Sequence, residues 1–523
     1  MKSLKHQWSV NKFRIIFIIF LIILIISIIV YKFKENFTNI TEHFEELPLV
    51  YTGTGFGFEE TPNERPLFLN FYPTNLGVDF NLQNTLRKLR FLNKNNPTIT
   101  NGSQNGYFSN NGQVNIGQKL APIVLIPGIG SSKISARWNK KDTKTVKVDD
   151  ASKNFDTTEK WSCKQSEPEW TSVWFNNTNN KNDKLSEVCW ADNIKVSYDS
   201  SSNSVINSEG VSTIVPDMGS LTFESDELNI LIKALNSSGY VASETLFGAS
   251  YDFRTIANKS AIEAYKSSLM SMIENAVYAN GSRAILISHD LGSVIINYIL
   301  VNMSKQWKDK FIECSIMMAP VIGGLPKALR TLLSGSGQGQ GQGSDVIRDL
   351  CRNFTGLQLM LPLDVIYGER PLVNYRQISY NASDIPKLMD LVSLNKEIYH
   401  NLVKPFQMSS IMAPHVAVYT LAGLNLDTES NYNYTDTLID NPNKRDPYYK
   451  SNLPYETDKT YQEMYNGDGT VPKFISEYSK SWSGIQQEPV NFKFYNKAEH
   501  VKILAMSEPI TDLLEIIQGY NNR

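Results

Sequence analysis

The stretch RAILISHDLGSVIINYIL, Arg283 to Leu300, constrains this chain more than any other. Ala284 to Ser288 is a short continuous apolar run, the pattern of a strand buried on both faces, and GSVIINYILVNMS after it carries apolar residues at helical spacing. Between strand and helix there is room only for a tight turn, with Asp290 at its apex. Such a turn crowds its own backbone, so small residues are needed two positions to either side. Here they are Ser288 and Gly292. A second run, APIVLIPGIGSS, ends in Pro-Gly and reads as another buried strand feeding a glycine-rich loop, so the folded part begins near Leu120. Buried strands alternating with helices predict an α/β fold, a mainly parallel sheet covered on both faces.

A different run sets the expected compartment. IIFIIFLIILIISIIVY, Ile15 to Tyr31, holds 17 residues without a charge, just enough to cross a bilayer core. Lys2, Lys5, Lys12 and Arg14 precede it, while Lys32 and Lys34 after it are partly offset by Glu35, so the charge bias keeps the N-terminus cytoplasmic. YKFKENF offers no small residues for cleavage, which favours an uncleaved anchor over a signal peptide. The expected order is a cytoplasmic tail over 1–14, a transmembrane helix over 15–31, an irregular Asn- and Gly-rich stalk over 32–118, and one domain over 119–523. SGSGQGQGQGSD makes 334–345 a low-complexity insertion in that domain. The topology is that of a single-pass type II membrane protein of the secretory pathway, in the endoplasmic reticulum, the endolysosome or the cell surface. Acceptor triplets for N-glycans at Asn36, Asn39, Asn101, Asn176, Asn236, Asn258, Asn280, Asn302, Asn353, Asn381 and Asn433 fit that orientation.

Charge and cysteines narrow the partners. With 51 basic and 53 acidic residues and no basic stripe, nothing points to nucleic acid. Cys163, Cys189, Cys314 and Cys351 are compatible with one or two disulfides. Cys163 and Cys189 bracket a polar segment and are the favoured pair, whereas Cys314 lies in an apolar run and reads as a buried thiol. No spacing resembles a metal site, and no cofactor is implied.

Two later segments give the turn at Asp290 company. YNGDGTVP places Asp468 in a glycine-rich turn, and NKAEHVKILAM presents His500 at the start of a helix. Each alone is ordinary, since Asp is common in turns and a lone His is usually a satisfied polar group. Together they run in the order nucleophile, carboxylate, histidine that α/β-hydrolases use, in a chain with only six histidines.

At these residues the chain resembles the lecithin:cholesterol acyltransferase family, which includes lysosomal phospholipase A2 and the phospholipid:diacylglycerol acyltransferases. The likeness runs from Leu120 to Gly519 through PIVLIPGIGSS, CWADNIKVSYD, GVSTIVPDMGS, SGYVASETLFGASYDFR, ISHDLGSVIINYIL, QWKDKFIECSIMMAPVIGG, NGDGTVP and AEHVKILA, in the family's order. The resemblance implies an α/β-hydrolase fold with a cap and a lid loop closed by a Cys163–Cys189 disulfide. It places the family's nucleophile, acid and histidine at Asp290, Asp468 and His500, and the oxyanion-hole amides at Ile129 and Leu291. Tyr251, Asp252 and Arg254 would support the pocket, and a phospholipid or sterol would be the ligand.

Two departures qualify that inheritance. The family acylates a serine hydroxyl that histidine deprotonates, and Asp290 has none to offer. As a carboxylate it would give a mixed anhydride with an ester and would hold the imidazole as a cation, no longer a general base. Neither Ser288 nor Ser293 would point where Asp290 points. The second departure is the lid, where FNNTNNKNDKLSEV is polar and leaves Trp170 and Trp174 as candidate interfacial anchors, core packing being the commoner fate of a Trp. The leading expectation is a membrane-anchored, catalytically degenerate relative that binds lipid or regulates. Two alternatives stay open: an active lipid O-acyltransferase or phospholipase, and a hydrolase that uses Asp290 as nucleophile on carbon electrophiles.

Overall fold

The computed structural model describes residues 120–140, 163–173, 184–334, 344–434, 450–451 and 466–523. Six strands form the central sheet: β1 (Ile123–Ile126), β2 (Leu246–Gly248), β3 (Ala284–Asp290), β4 (Ile312–Pro320), β5 (Ala417–Leu424) and β6 (Val490–Asn496). Their order is β6-β5-β4-β3-β1-β2, and every neighbouring pair is parallel. The apolar runs explain the arrangement, because every residue of β1 and of β3 is buried. Parallel strands joined by helices must be covered on both sides.

Alternation along the strands sorts the core into two layers. Ile123, Leu125, Ile285, Ile287, Ile316 and Met318 cluster with Leu228, Leu231 and Leu235 of α1 (Asp226–Ser237) and with Leu513 and Ile517 of α4 (Ser507–Asn521). Val124, Ile126, Leu286 and Met317 cluster with Leu269 and Ile273 of α2 (Lys259–Asn280) and with Val294 and Ile295 of α3 (Leu291–Val301). Each such fully buried side chain contributes roughly 1.5–3 kcal/mol of transfer free energy. Local signals set the helix ends: the Ser225 hydroxyl accepts the Leu228 N–H to open α1, and Gly281, at φ 67°, closes α2.

Smaller elements stand around this sheet. Ser135–Asn139 pairs antiparallel with Ser166–Ser172 and Val211–Ile214, and the Cys163–Cys189 disulfide ties the end of that small sheet to the helix Lys184–Ile194. Cys314 and Cys351 are buried free thiols. Between β4 and β5 the chain folds short helices, among them Pro326–Ser334 and Thr355–Leu359, against the core that contains α3. Arg254 is wholly buried: it binds Asp252 twice, donates to the Ile194 carbonyl at 2.8 Å and reaches Thr213 at 2.8 Å. One guanidinium thereby joins the loop after β2 to the small sheets.

The membrane-anchored architecture expected from the N-terminal run is corrected. No helix among the described residues is long and apolar enough to cross a membrane. The longest, α2, carries Lys259, Glu263, Lys266 and Glu274, and the apolar α3 has 11 residues, about half a bilayer span. The 15–31 segment itself lies outside the described residues, as do 1–14, 32–118 and 335–343. The transmembrane helix, the type II topology and membrane anchoring therefore find no support among the described residues.

The glycan acceptors differ in exposure. Asn258 is buried, with its Oδ1 accepting the Val205 N–H at 2.8 Å and its Nδ2 donating to the Val205 carbonyl at 2.7 Å. Asn236 and Asn302 are exposed, Asn280, Asn353, Asn381 and Asn433 are half-buried, and Asn36, Asn39, Asn101 and Asn176 lie outside the described residues.

Removing this buried guanidinium strips the Asp252 carboxylate of its cation, leaving it the backbone N–H of residue 254, and takes a donor from the Ile194 carbonyl and from Thr213. Arg254→Ala should therefore lower the free energy of unfolding by about 3 kcal/mol or more, read from the midpoint of denaturant unfolding.

Candidate functional site

The site is built where β3 runs directly into α3. Asp290 sits at the junction with φ 49° and ψ −125°, a conformation that costs a non-glycine residue energy. The ladder between β3 and β4 slips at the same point, between His289 and Asp290. Two glycines make the turn possible. A Cβ on Gly292 would lie 2.6 Å from the carbonyl oxygens of Ile126 and Pro127, and one on Gly128 would lie 2.8 Å from Asp290 Cβ. Gly292 was expected from the sequence; Gly128, on the loop after β1, was not. Ser288 fills the other expected small position, fully buried.

The carboxylate of Asp290 is gripped from two sides. Its Oδ2 accepts the Ile129 N–H at 2.9 Å, and the Leu291 N–H lies beside the same carboxylate and helps hold its charge. Its Oδ1 accepts from His500 Nε2 at 3.2 Å. Nδ1 of His500 in turn donates to Asp468 Oδ2 at 2.8 Å. Asp468 is aimed by its own turn, since Oδ1 accepts the N–H groups of Thr470 at 2.9 Å and Val471 at 2.7 Å. The His500 N–H closes the arrangement on the Asp468 carbonyl at 3.1 Å. Three residues separated by up to 210 positions thus meet at one point, together with both amides singled out in the sequence.

All three side chains are buried, each about 1% exposed. For His500, burial opposes the cation. The Asp468 charge and the hydrogen bonds to Asp290 and Asp468 outweigh it and push the imidazole up to about 9. Burial likewise opposes the Asp290 carboxylate, but the hydrogen bond from His500 and its charge hold it below the usual carboxylate range. At neutral pH the resting site is a cation between two anions.

One neighbour, His289, escaped the sequence reading; another, Tyr251, was expected to support the pocket. His289, buried, has Nε2 3.0 Å from the His500 carbonyl oxygen, to which it donates in the matching tautomer. Burial first and the His500 charge second lower it to about 4, so it is neutral. The Tyr251 hydroxyl donates to the Pro127 carbonyl at 2.9 Å and braces the loop that carries Ile129. The only sequence signal for His289 was its place beside the turn, a histidine in a histidine-poor chain. The candidate hydroxyls are turned elsewhere: Ser293 Oγ donates to the Asp290 carbonyl at 2.6 Å, and Ser288 Oγ has no hydrogen-bond partner among the described residues. Trp170 is 41% exposed with the Arg137 guanidinium 4.7 Å from its ring centre, and Trp174 lies outside the described residues. Among the described residues no group of His, Cys, Asp and Glu side chains could hold a metal ion.

A profile of the lecithin:cholesterol acyltransferase family matches residues 170–389 and 373–507. The chain is 26% identical to phosphatidylcholine-sterol acyltransferase of Mus musculus over 76% of its own length and 85% of the relative's. It is 24% identical to lysosomal phospholipase A and acyltransferase of Bos taurus, over 76% of this chain and 92% of that one. Lecithin-cholesterol acyltransferase-like 1 of Oryza sativa subsp. japonica is likewise 24% identical, over 77% and 88%.

Protonated His500 stabilises the native fold below its unfolded value of 6.5, and this contribution is lost as pH rises through about 9. Unfolding free energy should fall across that window. In Asp290→Asn, which removes one of the two anions facing His500, the decline should begin at lower pH, and NMR titration of the imidazole should show its pKa lowered by at least about one unit.

Proposed function

Given that the chain belongs to the lecithin:cholesterol acyltransferase family, we propose that it binds a phospholipid-like molecule and is silent toward acyl esters. One observation carries the reading: Asp290 Oδ2 occupies the Ile129 amide. In acyl transfer by this family, the resemblance assigns that amide to the oxygen of the substrate carbonyl as it becomes negative. Here a full negative charge already sits there, so an ester carbonyl meets repulsion where it needs donors.

The other parts of the site support the same conclusion. His500, held as a cation by Asp290 and Asp468, cannot accept a proton from a hydroxyl. Ser293 and Ser288 offer no substitute, since one donates to a backbone carbonyl and the other lies buried on β3. The lipid comes from kinship: the mouse relative is named for phosphatidylcholine and a sterol, the bovine one for phospholipase A and acyltransferase activity. Asp468 and His500 keep the arrangement that the resemblance assigns to the family's acid and base, so on this reading the nucleophile is the missing part.

Purified full-length chain should leave phosphatidylcholine in mixed vesicles intact while co-sedimenting with them. Asp290→Ser frees the Ile129 amide and supplies a hydroxyl, and should raise fatty-acid release by at least about a hundredfold. That gain should vanish in the Asp290→Ser, His500→Ala double variant. Fatty-acid release by the original chain that disappears in His500→Ala would overturn the reading.

A further inference from the structure

The two oxygens of Asp290 lie in different surroundings, and the difference is chemically informative. Oδ2 takes the Ile129 N–H, while Oδ1 faces His500 Nε2 at 3.2 Å. Donors aimed at a carboxyl oxygen stabilise negative charge on it, which prepares the attached carbon for attack. Here that carbon is Cγ of Asp290 itself. The site is equipped to hydrolyse an ester formed on its own side chain.

We propose that Asp290 Oδ1 displaces a weakly basic anionic leaving group from a primary alkyl carbon, and that water activated by His500 then hydrolyses the alkyl ester so formed. The substrate class is a long-chain alkyl halide or sulfonate. This rests on the reading above, a lipid-like ligand in a site closed to acyl esters, and names what its carboxylate does instead.

In the first step the Oδ1–carbon bond forms, the bond from carbon to the leaving group breaks, and that group departs with the electron pair. Burial strips water from the carboxylate and sharpens it for this displacement. Once esterified, Asp290 carries no charge and His500 faces one anion in place of two. The imidazole then gives up its proton to solvent and becomes a base when one is needed.

In the second step Nε2 of His500, oriented by Asp468 at 2.8 Å, takes a proton from water as its oxygen bonds to Cγ. Charge develops on Oδ2, in the grip of the Ile129 amide, with the Leu291 amide beside the same carboxylate. The adduct collapses with loss of the Cγ–Oδ1 bond, and the departing alcohol oxygen takes the proton from His500. Asp290 keeps the oxygen from water, and its remaining acid proton returns to His500. Overall, alkyl halide and water give alcohol, halide ion and one proton.

The leaving group is restricted by the same geometry. An epoxide leaves as an alkoxide and needs an acid; the His500 Nε2 proton faces Oδ1 and not the leaving group, and the Tyr251 hydroxyl is committed to the Pro127 carbonyl. A halide needs none.

Full-length chain incubated with 1-bromooctane in oxygen-18 water should release bromide and octanol and place the heavy oxygen in the Asp290 peptide on mass spectrometry. His500→Gln should stop at one bromide per chain, with that peptide heavier by an octyl group in place of a proton. Absence of both bromide release and Asp290 labelling in the original chain would overturn the proposal. If Asp290→Ser still gained phosphatidylcholine turnover in that case, the ester-silent reading would stand without it. Label elsewhere, with Asp290 unmodified, would likewise sink it.

Discussion

A protonated imidazole between two carboxylates, all three buried, is the interaction on which the rest of this site depends. Isolated burial of any one of these charges would be prohibitive. Each is tolerated because the others are present and because backbone donors are fixed on both anions: Thr470 and Val471 on Asp468, Ile129 and Leu291 on Asp290. The group joins the ends of β1 and β3 to the turns around Asp468 and His500. The sheet exists to bring those ends together. Its parallel strands deliver their C-terminal ends to one edge, where ligands of open α/β sheets gather.

A single oxygen decides which chemistry that edge supports. In a serine enzyme the amide donors wait for a substrate and histidine waits uncharged. At Asp290 the waiting is over before a substrate arrives, since the donors are filled and the base is protonated. On the reading proposed above, the occupation that closes one reaction prepares another, because a donor filled by the chain's own carboxylate serves any ester made on it. Serine and aspartate differ here in where negative charge sits at rest, and little else in the surroundings needs to change.

Much of this was legible in the residues. AILIS and PIVLI announced strands buried on both faces, and the order Asp290, Asp468, His500 announced a meeting that chain separation alone would never suggest. Turn chemistry carried that signal, because glycines and small residues are demanded by backbone crowding whatever the rest of the chain does. Which oxygen of Asp290 meets which donor was not legible, since a backbone N–H has no letter of its own. His289 was hidden for a related reason, its partner being a carbonyl and not a side chain. Asn258 read as a surface acceptor because the triplet is local, while its burial comes from Val205, 53 positions away. The apolar run at 15–31 read as a span from composition alone, and no described helix shares that character.

The disulfide between Cys163 and Cys189 has a consequence of connectivity. It closes a ring over 26 positions of sequence, so the backbone inside that ring is covalently redundant. A protease that cuts there yields a nicked protein whose two fragments remain one molecule until a thiol reductant is added. The strands Ser135–Asn139 and Ser166–Ser172 would then keep sulfur as their covalent link to the helix Lys184–Ile194, beside the hydrogen bonds of Lys140 to Asp192 and of Trp190 to the Val173 carbonyl.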